Sequence, residues 1–209
     1  LCEVTAGLIR TLATDSHHLA LCDSDTQTDS GERMQVIVPR KGVQELARLL
    51  NDDDGIVTIT LGNNHIRATV GTVTFTSKLI DGKFPDYERV LPKGGDKIVL
   101  ANREELRHSL TRAAILSNEK FRGIRLQLTP DMLRIQANNP DQEEAEDDLT
   151  VEYNGASLEI GFNVQYLMDV LGVLDNSTAK LTLGDSNSSA LVQDAEGGSS
   201  VYVVMPMRL

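Results

Sequence analysis

The 209-residue sequence contains no tryptophan, and only four phenylalanines and four tyrosines. Leucine, valine and isoleucine must therefore fill the core that a hydrophobic content of 40% allows. The two cysteines, Cys2 and Cys22, show no metal-ligand spacing, which points to free thiols in a reducing compartment. No apolar run approaches the roughly 18 residues of a membrane-spanning helix, and no signal peptide is recognisable. Basic residues are in the minority. The formal net charge of −11 argues against a simple basic nucleic-acid binder, although it does not fix how charge is distributed. P-loop, GxSxG, HExxH, CxxC and GxGxxG patterns are all missing. Asp15, Ser16 and His17 have the residue types of a hydrolytic triad. Neighbours on an extended chain point to alternate faces, so they cannot form a relay among themselves. The same alternation is expected to send His17 and His18 apart, and His65 and His108 lack nearby ligands. The reading is a non-enzyme without a cofactor or metal.

What is present is a weak internal repeat. Three times a short apolar strand runs into an amphipathic helix: Gln35–Pro39, Lys97–Leu100 and Leu158–Gly161 lead into helices near Arg40, Ala101 and Asn163. A run of strands with turn residues follows each helix, and their alternation implies antiparallel pairing. The repeat is βαβββ and the class α+β, with sheets dominant. Residues 1–22 add two strands. Asp81–Asp86 and Leu91–Asp96 read as a linker, so we expect a boundary near Leu91, with one part over 1–90 and another over 91–209. The sequence lacks an initiator methionine, and Leu1-Cys2-Glu3-Val4 reads as mid-strand. A fragment of a longer protein is the expectation.

The helices carry distinct faces. Val43, Leu46, Ala47 and Leu50 form a stripe on the first, Leu106, Leu110 and Ala113 on the second, and Val164, Leu167, Leu171 and Leu174 on the third. Lys41 and Arg48, then Arg107 and Arg112, lie off these stripes. The loop Asn118–Arg125 adds Lys120, Arg122 and Arg125. Such charges are usually a solvated face, but segregated they would track phosphates without reading bases. Ile115 lies opposite Leu106 among polar residues, beside Leu116, which suits a subunit contact. The acidic run Asp141–Asp148 lacks EF-hand spacing and reads as a loop and protected strand edge, or as a patch for a basic partner. The last residues, Val201–Leu209, read as a strand stopped by Pro206 and followed by an apolar tail. The tail either docks on its own domain or rims a groove for partner peptides, a role that methionine suits.

Long stretches of the sequence resemble the beta subunit family of bacterial DNA polymerase III, the β sliding clamps. The likeness rests on Val36-Ile-Val-Pro-Arg-Lys-Gly-Val43, Phe75–Tyr87, Arg112–Gly123, Asn138–Glu146 and Tyr202–Leu209, and it spans the chain. It starts partway into the family's middle domain. The resemblance implies a DNA-clamp fold in which helices line a hole and antiparallel sheets form the outside, with two protomers closing a ring around duplex DNA. Arg40, Lys41, Arg48, Lys83, Arg112, Lys120, Arg122 and Arg125 would then contact phosphates independently of sequence. Ile115 and Leu116 would form the dimer contact, with the acidic run, including Glu143, Glu144 and Glu146, on the same side. A hydrophobic groove would take short Gln/Leu/Phe-type peptides from the polymerase, the clamp loader and repair polymerases. The matching positions are Thr14, Ser16, His17, His18, Leu19, Pro85, Arg89, Val90, Ser189, Val203, Val204, Met205, Pro206, Met207 and Arg208, with Asn163 and Tyr166 at the neighbouring subsite. The implied setting is the bacterial cytoplasm, on the nucleoid during replication.

The chain departs from the family at Thr14-Asp-Ser-His-His-Leu19, where Thr-Asp-Gly-His-Arg-Leu is common. Ser16 is costly if the turn needs positive φ, and His18 replaces a permanent cation with an imidazole. Two other readings remain: a peptide-binding adaptor without a DNA role, and a hydrolase using His17 with a distant acid.

Overall fold

The computed structural model describes residues 1–27, 32–50 and 55–208. The sequence pattern predicts the first helix over residues 40–51 and an apolar tail to Leu209; positions 51 and 209 lie outside the described residues. The first strands are β1 (Cys2–Thr5), β2 (Leu8–Thr14) and β3 (His18–Asp25). Three repeats follow, each a strand, a helix and three strands. The first holds β4 (Met34–Val36), α1 (Arg40–Leu50), β5 (Thr58–Leu61), β6 (His65–Val70) and β7 (Val73–Lys78). The second holds β8 (Lys97–Asn102), α2 (Arg103–Ile115), β9 (Gly123–Thr129), β10 (Met132–Asn138) and β11 (Glu144–Thr150). The third holds β12 (Leu158–Asn163), α3 (Val164–Leu171), β13 (Thr178–Leu183), β14 (Ala190–Asp194) and β15 (Ser200–Val204). The βαβββ reading of the sequence describes all three. Residues 1–22 hold most of three strands rather than two, because Gly7, at φ 78°, turns β1 back on β2.

The chain folds as two compact units, residues 1–12 with 23–86 and residues 13–22 with 87–209. In the first, β1 lies between β2 and β4, and β6 lies between β5 and β7, all antiparallel. Here the expected helix stripe is displaced. Val43 is 50% exposed, Ala47 is exposed, and the buried residue of α1 is Gly42. A Cβ on Gly42 would stand 2.7 Å from Ser77 Oγ, so α1 meets its sheet through the absence of a side chain, with Leu46 and Leu50 half-buried.

The second unit contains an exchange of strands. The meander β9–β10–β11 takes as its fourth strand β12, which opens the next repeat. The meander β13–β14–β15 takes β8, which opens the repeat before. Each repeat thus completes its partner's sheet, and the Leu100–Glu152 bridge links the two sheets. Alternate residues point inward: Ile124, Leu126 and Leu128 from β9, Leu133 and Ile135 from β10, Leu181 and Leu183 from β13. Helices α2 and α3 close this core with the expected stripes, Leu106, Leu110 and Ala113, and Val164, Leu167 and Leu171, all buried; Leu174, expected on the third helix, is buried too but lies beyond the helix end at Leu171. Each helix starts where its strand ends in asparagine. Asn102 Oδ1 accepts from the Glu105 amide at 3.0 Å and Asn163 Oδ1 from the Gln165 amide at 2.9 Å. Helix α2 therefore begins at Arg103, later than Ala101, because β8 runs to its cap.

Leu110→Ala should lower stability by about 2–5 kcal/mol, since Leu110 has no exposed surface. Val43→Ala should cost less than about 1 kcal/mol. Urea denaturation of both variants measures the contrast, and equal losses would contradict this account of α1.

Candidate functional site

The second unit presents a surface at the tight turn from Thr14 to His18. Asp15 Oδ1 accepts hydrogen bonds from the amides of His17 and His18, both at 2.9 Å. Thr14 Oγ1 donates to the His18 carbonyl at 2.8 Å and accepts from the Ser16 amide at 3.2 Å. This local network holds Ser16 at φ 77°, in the left-handed region that glycine tolerates better. The expected divergence of His17 and His18 does not occur. Both rings stack on Tyr166 of α3, with centroids 5.9 Å and 4.7 Å away and interplanar angles of 13° and 22°. The physical reason is the turn: His17 lies before the strand, so strand alternation does not govern it. Among the described residues no cluster of histidine, cysteine and carboxylate side chains is arranged to hold a metal.

His18 Nδ1 lies 3.0 Å from Asp15 Oδ1 but is shielded from water and misaligned for a hydrogen bond. The attraction there is Coulombic when the ring is protonated. Partial burial opposes ionisation of Asp15, yet the His18 and His17 amides and the His18 ring outweigh it and hold the carboxyl below its ordinary range.

The tail is tied to this surface from both sides of Pro206, which has no amide hydrogen to give. The Met205 amide donates to the His17 carbonyl at 3.0 Å and the Met207 amide to the Gly161 carbonyl at 2.9 Å. Met205 is 38% exposed, Pro206 and Met207 are half-buried, and Arg208 is exposed. Behind them, sheet register sets His18, Val204 and Ala190 in one row and Leu19, Val203 and Leu191 in the next. Leu19, Val203 and Val204 are at most 2% exposed, so these three expected groove residues form its backing rather than its open surface. Asn163 caps α3 and donates through Nδ2 to the Phe121 carbonyl at 3.3 Å. Arg89, Val90 and Ser189 lie together on an open cleft of about 610 Å³. Pro85 is exposed and belongs to the other unit.

The expected basic surface is less uniform than its sequence. Arg40, Lys41, Lys83 and Lys120 are exposed. Arg48 pairs with Glu45 at 2.7 Å, and Arg112 pairs with Asp147 at 2.5 Å. Arg122, at φ 51°, donates from Nη1 to the Ala114 carbonyl near the end of α2, as a cation at a helix C-terminus should. Arg125 alternates with the core residues Ile124 and Leu126, so it points away from the helices, where it pairs with Glu159 at 3.1 Å. The structure therefore sets Arg125 apart from the helix-borne cations.

Ile115 is 75% exposed at the end of α2, and Leu116 is its half-buried cap. Glu143, Glu144 and Glu146 are exposed along or beside β11, the edge of its sheet. Phe121, absent from the expected contact residues, is 56% exposed after the same helix. Its signal was a lone aromatic in the polar Asn118–Arg125 loop.

Ser16→Gly should raise stability by up to about 1 kcal/mol, because a left-handed residue other than glycine costs about 1–2 kcal/mol and glycine's entropy returns part of this. Thermal unfolding checks it, and an unchanged or lower midpoint would contradict the strain. Asp15 has a lowered native pKa, so its charge stabilises the fold above the ordinary carboxylate pKa and ceases to do so as pH falls through the native value. The stability gap between the native chain and Asp15→Asn should therefore be widest near neutrality and shrink in acid; denaturation at several pH values reads it, and a gap independent of pH would refute it.

Comparison with known proteins places this geometry. The chain is 64% identical over 209 residues to the beta sliding clamp of Pseudomonas aeruginosa, covering all of this chain and 57% of that relative. It is 52% identical over 207 residues to the Escherichia coli K12 beta sliding clamp, covering 99% of this chain and 56% of the relative. The chain thus spans a little over half the length of the curated relatives it matches. A crystal structure of the P. aeruginosa clamp bound to griselimycin superposes with a TM-score of 0.97 at 63% identity, covering 100% of this chain and 56% of that one. Residues 1–86 match the model of the DNA polymerase III beta subunit central domain, and residues 88–208 match that of the C-terminal domain. This chain belongs to the DNA polymerase III beta subunit family.

Proposed function

We propose that the chain is part of a non-catalytic sliding clamp that holds partner proteins on DNA during replication. Residues 1–90 would be part of a middle clamp domain and residues 91–209 the C-terminal one. In the full-length protein, two protomers close a ring around duplex DNA in a sequence-independent way. Ile115, Leu116 and the acidic edge at Glu143, Glu144 and Glu146 would form the protomer contact. The exposed cations Arg40, Lys41, Arg48, Lys83, Arg112 and Lys120, with the half-buried Arg122, would face the phosphates. Several of them already carry a carboxylate or carbonyl partner, so each phosphate contact would be weak, and weak contacts permit movement along the duplex. The setting is the bacterial cytoplasm, with nucleoid association during replication; among the described residues no helix is long and apolar enough to cross a membrane.

The groove would take short peptides with glutamine and leucine or phenylalanine anchors from the polymerase, the clamp loader and repair polymerases. One observation carries this reading: the Tyr166 ring, stacked by both histidines, stands beside a Met205–Met207 tail held open by two backbone hydrogen bonds. The result is a rigid aromatic wall with adaptable thioethers beside it. An apolar anchor buried there contributes roughly 1.5–3 kcal/mol. The griselimycin-bound P. aeruginosa clamp shows that a relative takes a ligand, and the 63% identity to it supports extending ligand binding to this chain.

A labelled Gln-Leu-Phe-type peptide should bind this chain in the micromolar range. Ending the chain at Val204 should abolish binding, and Tyr166→Ala should weaken it about tenfold or more. Fluorescence anisotropy, with circular dichroism to verify folding, measures all three. No binding by the folded native chain, or full binding without the tail, would overturn the assignment.

A further inference from the structure

The 610 Å³ cleft extends beyond the positions that define the peptide groove. Arg89, Val90 and Ser189 line its near side, and Leu91, Pro92, Lys93, Gly94, Gly95, Thr182, Gly184, Ser188 and Leu191 line the rest. The segment from Leu91 to Gly95 forms a wall over β13. Gly95 makes this close approach possible, since a Cβ there would stand 2.7 Å from Thr182 Cγ2 and 3.1 Å from the Leu183 carbonyl oxygen. Gly94 lies at φ 89°, a left-handed turn between Lys93 and Gly95. Where successive amides of a turn converge on a common point they favour an anion.

The charges support the same chemistry. Within a chain of net charge −11, the lining carries two cations, Arg89 and Lys93, and no carboxylate. The acidic groups closest in sequence, Asp86, Glu88, Asp96 and Asp185, all carry interactions of their own. Asp96 pairs with Lys97 at 2.8 Å, and Asp185 accepts from the Asn187 amide at 2.9 Å and from Ser188 Oγ at 2.8 Å. Lys93 is exposed, and its ammonium pairs with no carboxylate among the described residues. Leu91, Pro92 and Leu191 give the cleft apolar walls along which an extended segment can lie.

We propose that this cleft is an accessory subsite for an acidic peptide segment flanking the hydrophobic anchor of a partner, with Lys93 and the Gly94–Gly95 turn receiving a carboxylate. The inference rests on the peptide-groove reading, because Arg89, Val90 and Ser189 belong to both surfaces. It adds a requirement that the anchor alone does not carry: partners with aspartate or glutamate beside the anchor bind more tightly than neutral ones.

The test uses this chain and three labelled peptides sharing one Gln-Leu-Phe-type anchor, extended on both sides by aspartate, alanine or lysine pairs. At low ionic strength the aspartate peptide should bind roughly threefold to fivefold tighter than the alanine peptide, the size of one exposed charge pair, and the lysine peptide weaker than either. The preference should fade with added salt. Lys93→Glu should abolish or invert the aspartate preference while leaving the affinity of the alanine peptide unchanged. Equal binding of aspartate and alanine peptides overturns the accessory subsite alone, as does a preference that survives Lys93→Glu. Failure of all three peptides to bind overturns the groove reading, and the subsite with it.

Discussion

The exchange of opening strands between the second and third repeats is the constraint on which the larger unit depends. A three-stranded meander with one helix leaves a sheet edge open and much of its apolar face uncovered. By lending β8 to the β13 meander and β12 to the β9 meander, each repeat gives the other a fourth strand. The exchange also fixes both helices. Each must start where a borrowed strand ends, and an asparagine at that junction caps it. Packing follows: α2 and α3 touch one another over a core contributed by both sheets, so neither repeat retains a complete core alone.

This arrangement positions the surface proposed for peptide binding. Because β12 is committed to the far sheet, its end delivers Asn163 as cap and Tyr166 one turn into α3, facing the Thr14–His18 turn. Because β15 sits between β14 and the His18–Cys22 part of β3, its C-terminus emerges beside that same turn. Pro206 ends the ladder there, and the two amides on either side of it are satisfied by the carbonyls of His17, in the turn, and Gly161, in β12, rather than by a continuing β15 ladder. The tail is held without being covered, which is what a binding rim requires.

The repeat, the α+β class and the stripes of α2 and α3 were legible because burial there leaves a hydrophobic mark at helical spacing. Helix α1 was not, because its closest contact runs through Gly42, and a contact made by lacking a side chain writes no apolar residue into the sequence. The acidic run Asp141–Asp148, expected as a loop and protected strand edge, in fact holds most of β11 from Glu144 on. Aspartate and glutamate disfavour strands in isolation, yet here cross-strand pairs such as Arg134 with Asp148 and Gln136 with Glu146 sustain the ladder. The groove positions came from resemblance; what neither resemblance nor pattern disclosed was the convergence of His17 and His18. Their convergence depends on a left-handed Ser16, a backbone state that the sequence does not mark as glycine would have.

Ser16 and His18 act together in that turn. A glycine would let the turn relax, and an arginine would carry its charge on a long, flexible stem. Serine instead holds a strained conformation that persists only because Asp15 and Thr14 over-determine it. Imidazole then places a short planar ring flat on Tyr166, where a guanidinium on a longer stem would have more freedom. The same substitution pair that weakens the turn intrinsically therefore stiffens the aromatic wall, and a stiff wall loses less conformational entropy when a ligand packs against it. On this argument the departure at positions 16 and 18 shifts the proposed groove from adaptable charge toward preorganised shape, and leaves the adaptable part of the proposed recognition to the methionines and the cleft beyond.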